Sequence, residues 1–508
     1  MSAQPPEAVG SPEPAAWQPG SEEIERRAVQ GVTLMVVRNV GVQAFTFMGT
    51  VALSRLLTPR QYGNFAIALT FQIVGRFLSD LGLAAAMIRR REEMSAREEQ
   101  TVTAISVVGS LAVSGALALA AFVLAPAFGV RSELLDVAAL TSFALPLYSA
   151  RVIPVVWLER RLDYRRLTWI EVADPLVFYA FAIPAALAGL GTYSLAGAVV
   201  AAAGVGSVIA TVMRPWSFGL RIDLDCIRPM LGFSLRASIL APLYLLREFL
   251  VLVALAAIGG PAQAGFYNLA QRLFSLNLSI AYAVQRVTQT AFARGEAGTS
   301  RDRRGAQTSI VTTVTAALPL AVVVGTAHIS VGLVFGARWH PTVALVLAAA
   351  AGWLLMSGPI SVLTSLALAH GDARAPLRAV ATQGLLAVGL TAGLVPLIGI
   401  AGAGLAVTCG ALGAVVVFVG AGAPEIRALV APTLKVAVVS GIAIAVGEVL
   451  GGRGPVALVL VGLACLATWL ALAAALLPGE LRLVARLLLR NLRRGGRKAR
   501  ADPSPPGR

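Results

Sequence analysis

Pro59-Arg60-Gln61-Tyr62-Gly63-Asn64-Phe65-Ala66-Ile67-Ala68 and Pro261-Ala262-Gln263-Ala264-Gly265-Phe266-Tyr267-Asn268-Leu269-Ala270 are two copies of one turn, 202 residues apart. At that constant offset Pro, Gln, Gly, an aromatic, a branched aliphatic and Ala recur, six matches in ten positions. Pro and Gly form turns generally and explain part of the match. Both copies also occupy the same place, leaving one apolar stretch and feeding the next. Such recurrence at equivalent places marks an internal duplication.

The sequence between and around the copies is apolar. Of 508 residues, 57% are hydrophobic and 13% charged, and the mean hydropathy is +0.77. Soluble globular chains carry about 25% charged residues, so this one has too little polar surface to wet several globules. Collagen, disordered and coiled-coil classes fall by the same figures. The fold expected is an all-α polytopic membrane protein. A bilayer core takes about 20 apolar residues per helix. That ruler gives fourteen spans, near 31–57, 65–88, 101–125, 134–158, 168–190, 192–213, 230–258, 266–291, 308–335, 342–369, 379–398, 400–420, 428–450 and 455–477. Spans 11 and 12 are parted only by the nearly apolar Gly399-Ile400-Ala401-Gly402.

The basic residues test this count. Links after the even-numbered spans through 12 contain 18 arginines, whereas links after the odd-numbered spans contain four: Arg60, Arg131, Arg338 and Arg453. A miscounted span would scramble the alternation from that point onward, yet it holds to the end. By the positive-inside rule both termini are cytoplasmic. The net charge of +16, from 42 Lys and Arg against 26 Asp and Glu, is thus a topology signal, and nucleic acid is not an expected partner. The tail 480–500 alternates Leu481, Val484, Leu487, Leu488 and Leu492 with five arginines, a pattern for a helix lying on the anionic inner leaflet. Residues 1–25 and 501–508 are expected to be disordered. The first thirty residues have no apolar core, so no cleaved signal peptide is expected there.

The repeat divides the chain into a cytoplasmic N-terminus (1–30), two six-span lobes (31–213 and 230–420), spans 13–14 (428–477) and a basic tail (478–508). Parallel repeats about an axis along the membrane normal are a transporter arrangement, with substrate held between the halves.

Nine basic residues fall inside the spans: Arg38, Arg55, Arg76, Arg151, Arg236, Arg247, Arg272, Arg286 and Lys435. Asp80, Asp136, Glu171, Asp174 and Glu248 join them. An Arg or Asp near mid-bilayer costs about 2.5–3.5 kcal/mol on insertion scales, so such groups face the bundle interior or water. Arg55 and Asp136 lie near outer ends and can be interfacial, and Lys435 can snorkel. Arg76 and Asp80 are four apart, a spacing for an ion pair, and Arg236 and Arg247 share a helix face. The spans that carry most of these charges are 1, 2, 4, 5, 7 and 8. A lumen lined there is cationic and suits an anionic substrate, because the guanidinium fork binds phosphate bidentately. The expected binding set is Arg38, Arg76, Arg151, Arg236, Arg247, Arg272 and Arg286. Asp80, Glu171, Asp174 and Glu248 are the candidates for ion coupling or charge pairing. The competing view is that these arginines pair with the acids in a structural polar seam.

Enzyme chemistry finds little support. Cys226, Cys409 and Cys465 are scattered, and so are His328, His340 and His370, which makes a disulfide framework or metal site improbable. No nucleophile constellation or Walker A motif appears, and no cofactor is expected. Pro146, Pro154, Pro175, Pro184, Pro319 and Pro359 fall inside spans, where they permit kinks.

Several stretches then match a known family. Leu53-Ser54-Arg55-Leu56-Leu57-Thr58-Pro59-Arg60-Gln61-Tyr62-Gly63 resembles the "ARLLGPEEYG" element of polysaccharide flippases. Asp80-Leu81-Gly82-Leu83 with Ile88-Arg89-Arg90 looks like their "DLGL…LIR", and Gly265-Phe266-Tyr267-Asn268-Leu269-Ala270-Gln271-Arg272-Leu273 like their "GYYNLAQRL". Phe335-Gly336-Ala337-Arg338-Trp339 and Leu368-Ala369-His370-Gly371 are similar to "FGxxW" and "xAxGR", with His370 and Asp372 departing from the usual residues. The five elements occur in order across about residues 30–420. The resemblance is to the Wzx-type polysaccharide or O-antigen flippases of the multidrug/oligosaccharidyl-lipid/polysaccharide exporter superfamily. It implies two six-helix lobes and alternating access in the cytoplasmic membrane of a bacterium. It also implies flipping of an undecaprenyl-diphosphate-linked oligosaccharide to the outer face, with a polysaccharide polymerase and glycosyltransferases as candidate partners besides membrane lipids. Arg55 and Arg272 carry over only as matched positions. The alternatives are a multidrug/cation antiporter of the same superfamily, a lipid II flippase, and a non-transport scaffold of a glycan-assembly complex.

Overall fold

The computed structural model describes residues 41–80, 83–89, 94–127, 133–161, 163–214, 222–223, 240–275, 299–369, 372–422 and 425–484. These residues are helical almost throughout, and no strand occurs among them. Helices keep the numbers of the spans they fall on. Helix 1 covers 41–56, and helix 2 covers Pro59–Asp80 with Leu83–Arg89 beyond it. Helix 3 is Ala96–Ala127, helix 5 Tyr164–Leu187, helix 6 Thr192–Met213, helix 7 Leu240–Gly259 and helix 8 261–275. Helix 11 is Arg374–Ile398, helix 12 Ala401–Gly420, helix 13 Glu425–Leu450 and helix 14 Pro455–Leu476. Helices 4, 9 and 10 are broken. Among the described residues nine helices are long and apolar enough to cross a membrane, or ten counting the bent pieces of helix 4 as one crossing.

Local chemistry sets the helix starts. Thr58 and Gln61 form a capping box: the Thr58 N–H donates to Gln61 Oε1 at 2.9 Å, and the Gln61 N–H to Thr58 Oγ1 at 3.3 Å. Helix 2 therefore begins at Pro59, a turn and a half earlier than its apolar run. Ser95 and Glu98 do the same for helix 3, at 2.9 and 3.3 Å. Asp163 caps helix 5, accepting from the Arg166 N–H at 3.2 Å, and Asp372 caps helix 11, accepting from the Arg374 N–H at 2.8 Å.

Span 4, read as one helix, is three: Glu133–Ser142, Ala144–Ala150 and Val152–Arg160, with a 45° bend at Arg151. Pro154 explains the bend, since its ring collides with the carbonyl four residues back, that of Ala150. Helix 10 runs Pro341–Leu355, loosens into a π-turn over Met356–Ile360, and resumes at Ser361–Ala369. Pro359 lies in that turn, four residues beyond Leu355. Helix 9 runs Thr299–Gly325, then Ala327–Ser330, and ends in a π-turn over Val331–Phe335. Pro175 and Pro184 sit inside the unbroken helix 5, and Pro319 sits inside the continuous first segment of helix 9. Helices 11 and 12 are parted at Gly399, whose φ is 67°.

The packing repeats itself. Helix 5 packs on helix 6 and helix 11 on helix 12; helix 4 lies on helix 6 and helix 10 on helix 12. Helix 1 meets helix 5 through Thr50 and Tyr179, as helix 7 meets helix 11. Gly191, between helices 5 and 6, has φ 56°, close to its counterpart Gly399. Helices 13 and 14 lie against helix 9, and helix 2 contacts helix 7 across the two halves. Leu385, Leu397, Val416 and Val449 are 68–85% exposed, an outside more apolar than water tolerates and suited to lipid. This is a multi-pass membrane protein.

The turns quoted first meet face to face. A Cβ on Gly63 would stand 1.7 Å from the Pro261 carbonyl oxygen, and one on Gly265 would stand 2.0 Å from that of Pro59. Links after spans 1, 3, 5, 7 and 9 gather at this end: Asn64 Nδ2 donates to Glu133 at 3.1 Å, and Thr192 bonds the other carboxylate oxygen. At the opposite end, links after spans 2, 4 and 6 meet where Arg214 pairs with Glu99 at 2.8 Å.

Candidate substrate-binding site

The first half builds a cluster from helices 2, 4, 5 and 6. Arg151 stands at the break in helix 4, where the bend turns its side chain inward, 7% exposed. Its guanidinium forms a bidentate pair with Asp174 of helix 5, at 2.8 and 2.7 Å. Gly206 of helix 6 leaves room for the pair, since a Cβ there would stand 2.4 Å from Arg151 Nη1 and from Asp174 Oδ1. Tyr148 holds two guanidiniums over its ring: Arg151 at 4.5 Å and the exposed Arg76 of helix 2 at 4.8 Å. Cation–π contacts of this kind hold a guanidinium over the ring face.

The second half builds a cluster from helices 7, 8 and 11. Arg247, 9% exposed, donates to Gln383 Oε1 of helix 11 at 2.6 Å and pairs with its neighbour Glu248. The other Glu248 oxygen accepts from the Tyr267 hydroxyl at 2.9 Å and from Gln271 Nε2 at 2.7 Å. Tyr244 lies beneath the guanidinium at 5.4 Å. Phe71 of helix 2 and Phe249 of helix 7 meet edge to face at 4.6 Å between the two halves.

The clusters share a burial order. Arg151 is 8% exposed by side chain and Asp174 26%, while Arg247 is 9% and Glu248 28%. In each pair the carboxylate is the wetter member. Both arginines are therefore neutralised at rest, as the structural-seam view requires of them. Arg272 on helix 8 is half-buried and joins none of the ion pairs seen among the described residues. Glu171 is exposed on helix 5, one turn before Asp174. Arg38, Arg236 and Arg286 lie outside the described residues, as does the side chain of Asp80.

Several participants carry no charge and escape a search for intramembrane charges: Tyr148, Gln383, Tyr267 and Gln271. The repeat offered one signal. At an offset of 209, Asp163 falls on Asp372, both helix caps, and Asp174 falls on Gln383. The partner of Arg247 thus occupies the repeat position of the partner of Arg151. Glu448 of helix 13 was also missed as an intramembrane acid; it lies 3.9 Å from His328.

At the end where the two turns meet, five hydrogen bonds tie the halves together. Arg55 of helix 1 donates to the carbonyls of Val334, at 2.8 Å, and Leu333. Arg338 donates back to the carbonyls of Leu57 at 3.3 Å and Arg55 at 3.0 Å. Each arginine thereby caps the C-terminal carbonyls of the other half's helix. The buried Trp339 adds its indole N–H to the Ser54 carbonyl at 3.0 Å and packs edge to face on Tyr62 at 5.4 Å.

Solved structures share this architecture. One, titled as the lipid II flippase MurJ in an inward closed conformation, aligns with a TM-score of 0.68 at 12% identity, covering 87% of this chain and 98% of that one. An inward-facing multidrug resistance MATE family transporter of the MOP superfamily aligns at 0.60 and 16% identity, over 76% and 95% of the two chains. A MOP superfamily transporter from Pyrococcus furiosus, described as having a binding pocket of reverse polarity, aligns at 0.54 and 17% identity, over 79% and 96%. At such identities the likeness is one of fold. No curated protein matches by sequence. A family model described as polysaccharide biosynthesis protein matches residues 52–344. The match takes in both repeat turns and more than half of the chain, and on it the chain belongs to the polysaccharide biosynthesis protein family.

Proposed function

We propose that the chain flips a lipid-linked oligosaccharide, an undecaprenyl-diphosphate glycan, across the cytoplasmic membrane of a bacterium by alternating access. In this reading fourteen helices cross the membrane and both termini are cytoplasmic. The lobes 31–213 and 230–420 rock about the junction of the two turns, and helices 13–14 and the tail 478–508 are additions. The observation that carries the proposal is the convergence of two guanidiniums, Arg76 and Arg151, over the one Tyr148 ring. Two forks at one point suit two linked phosphoryl groups, each taken bidentately. Arg151 is held by Asp174 until a diphosphate displaces the carboxylate, and Arg247 stands in the same relation to Glu248. Arg272, with Arg38, Arg236 and Arg286, completes the cationic set. Glycosyltransferases that build the substrate and a polymerase that consumes the flipped product are the expected partners.

A second reading has an observation of its own. The wetter members of both pairs are Asp174 and Glu248, which an antiporter would use to take up cations. Reconstituted vesicles separate the two. With a fluorescent undecaprenyl-diphosphate oligosaccharide, Arg76→Gln should slow flipping at least about tenfold, a loss of some 1.4 kcal/mol, with insertion unchanged. Unchanged flipping together with ethidium transport abolished by Asp174→Asn would replace the flippase by the antiporter. A lipid II flippase would prefer lipid II in the same assay, and a scaffold would flip neither.

A further inference from the structure

On the outside of the first half, helices 5 and 6 enclose an apolar groove of about 290 Å³, lined by Trp169, Val172, Ala173, Leu176, Ile209 and Met213. Its helix 5 wall is a single stripe, because 169, 172, 173 and 176 recur at helical spacing. The same stripe continues one turn back to Arg165 and Arg166, both exposed. On helix 6, Met213 is followed at once by Arg214, which leans over the Trp157 ring at 4.7 Å and pairs with Glu99. Arg161 covers the same ring at 4.1 Å. Trp169 itself is 62% exposed, at the boundary between the apolar stripe and the arginines. The groove is thus apolar along its length, with basic residues at one end.

We infer that this groove binds an anionic phospholipid of the cytoplasmic leaflet, with an acyl chain along the stripe and the phosphate at Arg165 and Arg166. Charge complementarity selects the occupant. A zwitterionic lipid fills the apolar part equally well but gains little from Arg165 and Arg166 at the mouth, whereas basic residues near an anionic headgroup attract it. Trp169 has an amphipathic ring suited to the headgroup boundary. Arg166 is partly engaged, 3.5 Å from the capping Asp163, and this leaves Arg165 as the principal phosphate ligand. The site lies on the flank of helices 5 and 6, so it binds a resident lipid and not the transported one. Helix 5 also carries Asp174, and a lipid seated on its outer face would steady the Arg151 pair from behind. The inference uses the cytoplasmic assignment of the arginine-rich end but not the identity of the transported glycan.

Native mass spectrometry of the full chain in detergent tests it, with dioleoyl phosphatidylglycerol and dioleoyl phosphatidylcholine as probes. Phosphatidylglycerol should be retained on the order of tenfold more tightly. Arg165→Gln/Arg166→Gln should remove that preference. Arg374→Gln/Arg378→Gln, an equal charge change at two exposed positions on helix 11, should keep it, and Trp169→Ala should weaken both lipids. Equal retention of the two lipids by the wild-type chain, or equal losses in both double variants, would overturn the site. Displacement of phosphatidylglycerol by undecaprenyl phosphate at equal concentration would overturn it in favour of a polyprenyl occupant. Flipping of the lipid-linked glycan by Arg165→Gln/Arg166→Gln, measured separately, keeps a failure here distinct from a failure of the transport reading.

Discussion

Gly63 and Gly265 each press against the backbone of the other's turn, Gly63 on the Pro261 carbonyl and Gly265 on that of Pro59. Two glycines related by the internal repeat thus meet at the junction of the halves, where a methyl group on either would overlap a backbone oxygen. The junction can separate but cannot yield locally, because the obstacle is main chain on both sides. Gly63→Ala or Gly265→Ala should therefore disfavour the closed junction by about 1–3 kcal/mol, the usual cost of overpacking, while leaving each half folded. Spin labels at the exposed positions 190 and 397, with the three native cysteines replaced, would read this by double electron–electron resonance. A distance distribution the same as wild type would refute it.

Arg55 and Arg338 should behave as one device. Arg338 donates to the carbonyl of Arg55 itself, while Arg55 holds the π-turn that leads into Arg338. Hydrogen bonds to a charged donor contribute about 1.5–3 kcal/mol. Removing either arginine should cost an amount in that range, and removing both should cost less than the sum. Trp339→Phe deletes a single indole N–H bond and should cost only about 1 kcal/mol. The equilibrium between closed and open junctions in the four variants, read with the same label pair, provides the cycle. Strict additivity would mean that the two caps act separately.

The elements best read from sequence were those with a repeating physical cause. Helix positions follow from twenty-residue apolar runs, and the turn copies from matched residues at a fixed offset; neither needs tertiary knowledge. What escaped depended on contacts across the bundle. The break at Arg151 needs Pro154 to act on Ala150, whereas Pro175 and Pro184, equally visible in the sequence, leave helix 5 unbroken. Charge counting located Arg151, Asp174, Arg247 and Glu248 but could not pair them, since Arg151 and Asp174 are brought together by the packing of helices 4 and 5. Gln383 and Tyr148 carry no charge, so an insertion-cost argument passes over them, although between them they hold three of the arginines, Arg76, Arg151 and Arg247.

Asp174 should matter more for folding than Arg76 does. Its loss leaves Arg151 buried and uncompensated, and breaking such a pair costs about 3–5 kcal/mol. The lower end applies, since the Asp174 side chain is 26% exposed. Asp174→Asn should therefore lower thermal stability in detergent clearly, whereas Arg151→Leu/Asp174→Leu should restore much of it, because no charge then remains in the site. The double variant should still fail to flip substrate. Fluorescence-detected size-exclusion after heating measures the first part, and vesicle flipping the second. A double variant less stable than Asp174→Asn would show that the pair supports the fold by more than charge balance.

The repeat makes a sharper demand on the second half. Gln383 occupies the position of Asp174, but Arg247 takes its charge balance from Glu248 on its own helix. Two solutions to the same problem, a carboxylate on the neighbouring helix or on the same one, should be interchangeable. Glu248→Gln alone should destabilise by about 3 kcal/mol, leaving Arg247 buried without a counter-charge. Adding Gln383→Glu puts a carboxylate 2.6 Å from the guanidinium in place of the amide oxygen now there. That second change should recover at least half of the loss, and in the wild-type background Gln383→Glu should gain nothing, because two acids would then compete for one arginine. Melting curves of the four proteins decide the matter. If Gln383→Glu fails to rescue Glu248→Gln, then the Tyr267 and Gln271 bonds to Glu248, and not its charge, are what the cluster requires.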